Sequence, residues 1–121
     1  ALAREVLPGQ IPRADAVHNI AHGALVLKAL ELGDEQLLRT AMQDRLHEPY
    51  RKNMIEGYEK IAALVRNLGA AFCLSGAGPT MLCITRDDTL REKLEAKLPA
   101  LSQAHLTILP LHVEFQGACP I

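Results

Sequence analysis

Apolar residues recur at helical spacing through the first half of the chain. Asp15 precedes a run in which apolar side chains return every three or four positions, which predicts an amphipathic helix that ends at Gly33. The shared face of this helix carries Val17, Ile20, Ala24 and Leu27. Asp34 is placed to cap a second helix, which we expect Pro49 to stop because proline cannot continue the backbone ladder. The apolar face of this second helix carries Leu37, Leu38, Ala41 and Met42. We expect the two helices to pack antiparallel.

The second half of the chain mixes helices with short strands. A third helix is expected over residues 54–68, with Gly69 as its left-handed end. Its buried stripe is predicted to be Tyr58, Ile61, Ala62, Val65 and Leu68. Two apolar segments, residues 70–74 and 81–84, flank a glycine-rich loop and predict a hairpin. Asp87 or Asp88 caps a fourth helix through Leu98, which Pro99 closes.

A last strand is predicted over residues 105–116, where apolar and polar positions alternate. The order of elements is then most of a split βαβ arrangement. This predicts an α+β fold of one domain, residues 1–121, in which a ferredoxin-like two-layer sandwich has an antiparallel sheet and additional helices. The first strand of that topology is not visible and would precede Ala1. The opening residues read as the middle of a helix, so we expect a piece of a longer protein.

Composition narrows the class of ligand. The 121 residues are 49% apolar and 22% charged, with a net charge of -1 and neither sign gathered into a block. Aromatic residues make up only 3%, so both the basic surface and the stacking platforms of a nucleic-acid binder are lacking. No apolar run is long enough for a membrane span. Cys73, Cys83 and Cys119 are widely spaced and odd in number, which favours reduced thiols and a cytoplasmic protein.

The loop between the two predicted strands reads Ser75-Gly76-Ala77-Gly78-Pro79-Thr80. Glycines let successive backbone N–H groups turn toward an anion, so the loop is a candidate phosphate cradle. It is not a Walker loop, because no Lys-Ser or Lys-Thr follows it. The sequence by itself leaves a plain hairpin turn equally open.

Five polar residues can likewise be interpreted either as site residues or as ordinary surface residues. Arg51 ends the segment His47-Glu48-Pro49-Tyr50-Arg51, and its planar guanidinium can hold a carboxylate through two parallel hydrogen bonds. A solvated surface role is the alternative for it and for Arg4. His18 and His22 share a helix face at the spacing of a two-histidine metal site, but the glutamate of His-Glu-x-x-His is absent, so we assign no metal. These histidines and Asn19 either line a polar cleft or lie on the ordinary helix surface.

Taken together, these segments resemble the homoserine kinases, a branch of the GHMP small-molecule kinase family. The matching segments are Ala3-Arg4-Glu5-Val6-Leu7-Pro8, Asp15-Ala16-Val17-His18-Asn19, Asp44-Arg45-Leu46-His47-Glu48-Pro49-Tyr50-Arg51, Ile55-Glu56-Gly57-Tyr58 and Ser75 to Thr80. Two departures are Ala77, where serine is commoner, and Glu56, where proline is commoner. Neither removes a backbone N–H or a charged ligand.

The resemblance implies how the parts act. It implies an ATP- and Mg²⁺-dependent kinase that phosphorylates L-homoserine for threonine synthesis, with Arg4 and Arg51 on the substrate carboxylate and Asn19, with His18 or His22, in the same pocket. The glycine loop would help shape the phosphate site beside the N-terminal domain of the same protein, which would hold most of the nucleotide. No catalytic residue is expected in this chain, which by itself would be inactive, and a homodimer is possible. Another GHMP kinase, or a self-standing ferredoxin-like module that senses an amino acid, remains the alternative.

Overall fold

The computed structural model describes residues 2–102 and 106–117. In chain order its elements are α1 (Leu2–Glu5), α2 (Arg13–Leu32), α3 (Glu35–Ala41), α4 (Glu48–Arg51), α5 (Tyr58–Leu68), β1 (Ala71–Leu74), β2 (Met81–Ile84) and α6 (Asp88–Lys97). Short 3-10 turns at Lys52–Met54 and Leu98–Leu101 follow α4 and α6. The α+β class is confirmed. Among the described helices, none has both the length and the apolar character needed to cross a bilayer.

α2 and α3 form the predicted antiparallel pair. Gly33 adopts a φ of 63° and ends α2 in the left-handed conformation. Asp34 Oδ1 then accepts a hydrogen bond from the Leu37 N–H at 2.9 Å, which confirms the predicted cap of α3. At the far end of the pair, the His18 ring donates to the Gln43 carbonyl at 3.0 Å, so the chain has doubled back.

The predicted role of Pro49 is wrong. α3 already ends at Ala41, and Pro49 lies in the first turn of α4. The first backbone N–H groups of a helix have no partner within it, so proline is well tolerated there. Pro49 therefore starts a helix where it was expected to stop one.

The third predicted helix begins later than expected. Gly57 has a φ of 77°, which interrupts the backbone before Tyr58 and leaves residues 52–54 as a separate 3-10 turn. The predicted stripe is otherwise confirmed, since its members at positions 58, 61, 62 and 65 are buried and the one at 68 is half-buried. Gly69 ends α5 at a φ of 91°, as predicted.

The hairpin is confirmed, with β1 antiparallel to β2 and Phe72 opposite Cys83. One face of the hairpin packs on α5 and α6 in the main core, which contains Phe72 and Leu94. The other face carries Ala71, which packs on α2 and α3 through Ala29 and Leu38. β1 is thereby held on both faces, and it leads directly into the glycine loop.

The prediction of a last strand is wrong for the residues that the structure describes. Residues 106–116 form no strand, and Leu109, Leu111, Val113 and Phe115 are 71–93% exposed. Alternation signals strand propensity, but a strand exists only through hydrogen bonds to a neighbour, and within the described residues this segment pairs with neither β1 nor β2. His105 lies outside the described residues.

The predicted helix α2 is confirmed. It is not amphipathic as predicted, because apolar residues lie on two of its sides. Ala29 is 1% exposed and faces the hairpin, with Val26 beside it. The predicted stripe lies on the other side, where Val17, Ile20 and Leu27 are 59–76% exposed. Periodicity identified a real face of the helix but could not tell which face packs inside the domain.

α6 begins as predicted, because Asp87 Oδ1 accepts hydrogen bonds from the N–H groups of Thr89 and Leu90. The α-helical hydrogen bonding ends at Lys97, and Pro99 lies inside the 3-10 turn that follows. Cys73 and Cys83 are free and half-buried. Burial raises the pKa of the Cys83 thiol to about 11, so it behaves as a small core residue.

Candidate substrate-binding site

Glu48 anchors the site and is only 7% exposed. Its carboxylate accepts hydrogen bonds from the Tyr58 hydroxyl, from Arg66 Nη2 at 3.3 Å and from the Leu74 N–H at 3.0 Å. A buried carboxylate is stable only when it is paired and hydrogen-bonded in this way. Burial, and then the hydrogen bond to Glu48, raise the pKa of Tyr58, so the phenol stays protonated as a donor. These contacts tie the start of α4 to α5 and to the end of β1.

Asp44 fixes the approach of the chain to α4. Its Oδ2 accepts the N–H groups of His47 and Glu48, each at 2.7 Å. Its Oδ1 accepts the Asn19 side-chain amide at 2.6 Å. Burial by itself raises the pKa of this carboxyl, but the hydrogen bonds from Glu48, His47 and Asn19 outweigh it and hold the pKa below its usual value. Asp44 is therefore ionised and joins the beginning of α4 to α2.

The predicted polar residues of α2 also contact the segment that precedes α4. Asn19 Oδ1 accepts the Arg45 N–H at 2.9 Å, in addition to the amide contact with Asp44. The His18 and His22 rings stack with their centroids 3.6 Å apart, and His22 Nδ1 donates to the His18 carbonyl at 2.9 Å. Stacked rings do not aim their nitrogens at one ion. Over the described ranges, no group of three or more His, Cys, Asp or Glu side chains is arranged to hold a metal.

Arg51 joins three segments that are far apart in the sequence. Its Nε donates to the Ala3 carbonyl at 2.8 Å, and its Nη1 donates to the Gly76 carbonyl at 3.1 Å. The half-buried guanidinium thus lies between α1 and the glycine loop. These bonds occupy two of its five N–H groups, so donors remain for a carboxylate or phosphate.

Arg4 follows Ala3 directly, and its exposed side chain has no hydrogen bond or ion pair to the described residues. Its backbone therefore lies beside Arg51. The loop Ser75–Thr80 is exposed and is closed by a hydrogen bond from the Ser75 N–H to the Thr80 carbonyl at 2.8 Å. Gly76 has a φ of 70°, and neither it nor Gly78 has a heavy atom within 4 Å of where a Cβ would stand. The loop surface is open to a ligand.

The structure therefore brings the predicted residues to the two ends of one short helix. Arg51, the loop and the backbone of Arg4 meet at the end of α4, whereas Asn19 and His18 reach its beginning through Asp44 and Gln43. α4 is a single turn of four residues, so its ends are about 5 Å apart along its axis.

Sequence reasoning missed the residues that hold this arrangement together. Asp44 and Glu48 were read only as parts of a motif, and Tyr58 only as part of a buried stripe. No usual capping signal marked Asp44, because the N-cap of α4 is His47 and Asp44 lies three positions before it. Nothing in the pattern indicated that Glu48 itself would be buried.

A groove of about 650 Å³ is lined in part by Asp44 and Glu48. Its lining residues are Gln36, Arg39, Thr40, Met42, Gln43, Asp44, Glu48, Arg66, Ala70 and Phe72. The residues predicted to bind substrate or phosphate are not among them. The candidate site is instead the open surface between α1, α4 and the glycine loop.

Known proteins are similar to this chain in sequence, and a solved structure is similar to it in fold. The homoserine kinase of Crocosphaera subtropica is 41% identical over 119 residues, which cover 96% of this chain and 39% of that protein. The homoserine kinase of Nostoc punctiforme is 42% identical over 120 residues, with the same coverage. The crystal structure of homoserine kinase from Cytophaga hutchinsonii superimposes with a TM-score of 0.75 at 26% identity, over 81% of this chain and 31% of that one.

The chain spans about 39% of the length of the curated relatives it matches. The family described as GHMP kinases C terminal matches residues 26–103, which include α3 to α6 and the glycine loop. This match covers more than half of the chain. The chain therefore belongs to the GHMP kinases C terminal family.

Proposed function

We propose that the full-length protein carrying this chain is a homoserine kinase, which transfers the γ-phosphate of ATP to the hydroxyl of L-homoserine and gives O-phospho-L-homoserine for threonine synthesis. This chain forms the substrate side of the active site, and Arg51 and Arg4 bind the homoserine carboxylate. Two homoserine kinases at 41% and 42% identity support the choice of substrate.

One observation carries the proposal. The Arg51 guanidinium lies between the Ala3 and Gly76 carbonyls, so it meets both the segment that carries Arg4 and the glycine loop. The backbone contacts fix the plane of the fork, and a fixed fork loses little entropy when it binds a carboxylate through two bonds. A substrate held there has its carboxylate oriented and its hydroxyl directed away from the arginines.

The remaining roles are divided between this chain and the rest of the protein. We assign ATP and Mg²⁺ mainly to the N-terminal domain, with the loop Ser75–Thr80 shaping the phosphate site from this side. Asn19, with His18 or His22, lines the same pocket as the arginines, approached from the beginning of α4 through Asp44 and Gln43. Phosphoryl transfer depends on positioning and on neutralising charge around the nucleotide, so this chain in isolation should be inactive. The working location we propose is the cytoplasm.

The test is an ADP-release assay on the full-length protein. We expect turnover with L-homoserine, and none with mevalonate or a sugar, because the carboxylate of mevalonate lies at a different distance from the hydroxyl and a neutral sugar has no carboxylate for the fork to bind. The isolated chain should give no ADP above background. Turnover of another acceptor in place of homoserine would assign the protein to a different GHMP kinase activity. Calorimetric binding of homoserine to the isolated chain without ATP would favour a sensing module.

A matched pair of variants tests the residue assignment. Arg51→Ala in the full-length protein should raise the Michaelis constant for homoserine and cost about 2–4 kcal/mol in kcat/KM, as expected when a hydrogen-bonded charge partner is removed. Arg91→Ala is the control, because Arg91 lies on α6 and its contacts are with Asp88 at 3.3 Å, Glu95 at 3.4 Å and the His112 ring at 3.4 Å, none of which belongs to the candidate site. If both variants kept the wild-type kinetics, the assignment of Arg51 to the substrate would be wrong.

A further inference from the structure

The groove lined by α3, the start of α4, α5 and β1 is polar and large enough for a small molecule. Its volume of about 650 Å³ lies within the range of roughly 300–1,000 Å³ that is usual for small-molecule sites. Two arginines line it from different helices, Arg39 on α3 and Arg66 on α5. The cations of this groove therefore differ from Arg51 and Arg4, which we assign to homoserine.

Arg39 is a half-buried cation that has no acidic partner among the residues that the structure describes. Its Nη1 donates to the Gly69 carbonyl at 2.7 Å, which caps the end of α5 and fixes the guanidinium. This bond uses one of the five N–H groups of the side chain. A charge that has lost part of its water is normally compensated by an opposite charge. The described part of the domain does not supply one for Arg39.

Arg66 is held in place from two sides. Its Nη2 lies 3.3 Å from Glu48 Oε1, and its guanidinium carbon lies 5.4 Å from the centre of the Phe72 ring. The face of an aromatic ring attracts a cation and limits its rotation. The Arg66 side chain is nevertheless 54% exposed, so its remaining N–H groups are accessible to a ligand.

The rest of the polar lining favours an anion over a cation. The side-chain amides of Gln36 and Gln43 make no hydrogen bond to the described residues, so their N–H groups remain available. The two carboxylates of the groove, Asp44 and Glu48, each accept three hydrogen bonds. Donors around a carboxylate offset its charge, so these two repel an incoming anion less than free carboxylates would.

We propose that this groove binds a small metabolite that carries an oxyanion, either a phosphate or a carboxylate group, through Arg39 and Arg66. The planar fork of an arginine binds both groups through paired hydrogen bonds. The amides of Gln36 and Gln43 contact the polar remainder of the molecule. The proposal goes beyond the kinase assignment and does not depend on it.

The test uses methionine methyl groups of the full-length protein as local reporters in nuclear magnetic resonance. Met42 lines the groove, Met54 lies three positions after Arg51, and Met81 packs on the main core. The three signals are assigned from the variants Met42→Leu, Met54→Leu and Met81→Leu. Each reporter thus follows a different part of the domain.

Inorganic phosphate is titrated in one series and succinate in another, at constant ionic strength, with glycerol as the uncharged control. We expect a saturable shift of the Met42 signal with an anion and no shift with glycerol. The Met81 signal should stay in place throughout. The anion that saturates the Met42 shift at the lower concentration shows whether the groove prefers phosphate or carboxylate.

Variants then test the two arginines. Arg39→Gln should weaken the binding that shifts Met42 by at least about tenfold, as expected when a charged hydrogen-bond donor is removed. Arg66→Lys keeps the charge but loses the fork, so it should also weaken binding, and it gives the test if Arg39→Gln does not fold. Arg91→Gln is the matched control, because it removes the same charge from α6, outside the groove, and should change binding by less than about twofold.

Two results would overturn the proposal. Met42 could stay in place in both titrations, whether or not Met54 moves, which would mean that no oxyanion enters the groove. Alternatively, Arg39→Gln or Arg66→Lys, with the Met81 signal of the folded protein, could bind the anion no more weakly than Arg91→Gln. The anion would then be attracted by the overall charge of the protein, and the two arginines would have no special role.

Discussion

The Tyr58 hydroxyl donates a hydrogen bond to the buried carboxylate of Glu48. Glu48 begins α4 and Tyr58 begins α5, so the bond joins the two helices at their first residues. The same carboxylate accepts the Leu74 N–H, immediately before the glycine loop. One buried acid thus fixes both the helix that ends in Arg51 and the strand that leads to Gly76. The contact between Arg51 and Gly76 depends on this common anchor.

Tyr58→Phe should lower the free energy of unfolding by about 1–3 kcal/mol, because Glu48 stays buried and loses one of its donors. Denaturant unfolding with a fluorescent probe or circular dichroism measures the change. Tyr50→Phe is the control, since Tyr50 is 37% exposed and its hydroxyl has no bond to the described residues, and it should stay within about 0.5 kcal/mol of wild type. Equal stabilities for the two variants would contradict the anchoring role of Glu48.

Asp44→Asn should make stability less dependent on pH. The folded pKa of Asp44 lies below its unfolded value of about 3.9, so its ionised form stabilises the protein above that pH, and the contribution is lost as the pH falls through the folded pKa. We expect the variant to be less stable than wild type by about 1.5–3 kcal/mol at pH 7 and the difference to shrink at pH 3.

The matched control for Asp44 is Asp88→Asn. The Asp88 side chain is 80% exposed and pairs with Arg91 on the surface, so its loss should cost about 0.5 kcal/mol or less at pH 7. Urea unfolding of the three proteins at both pH values gives the comparison. A difference for Asp44→Asn that stayed constant from pH 7 to pH 3 would argue against an ionised, hydrogen-bonded carboxylate at this position.

Gly76→Ala should cost about 1–2 kcal/mol of stability, because its φ of 70° is strained for any residue with a Cβ. The strain should also disturb the carbonyl that accepts Arg51 Nη1 and raise the Michaelis constant for homoserine in the full-length protein. Gly78→Ala has equal space and no left-handed φ, so it should be close to neutral. Identical effects of the two substitutions would mean that the loop is not fixed through Gly76.

Most helix ends of this fold could be predicted from residues that are close together in the sequence. Gly33, Gly69, Asp34 and Asp87 each fix a helix end through their own backbone or side chain, so their roles could be read from neighbouring residues. The start of α5 could not, because Glu56-Gly57 looks like helix until the left-handed φ of Gly57 is known. The last strand failed because strand formation depends on a partner elsewhere in the chain.

The residue types of the candidate site could be predicted from the sequence, but the contacts between them could not. The fork geometry of Arg51 and the glycines at 76 and 78 are properties of residue type. That Arg51 would meet Ala3 and Gly76, 48 and 25 positions away, depends on tertiary packing around Glu48. The same limit applies to α2, where the pattern marked Ile20 correctly as one of a stripe but could not tell that the stripe faces outward.

We propose above that Arg51 recognises the substrate carboxylate. The most direct measurement compares kcat/KM for L-homoserine and for 3-aminopropan-1-ol, which lacks the carboxylate, in the full-length wild type and in Arg51→Ala. We predict that the wild type strongly prefers homoserine and that Arg51→Ala loses about 2–4 kcal/mol of this preference, because the variant has no fork to discriminate with. An unchanged preference in Arg51→Ala would contradict the claim.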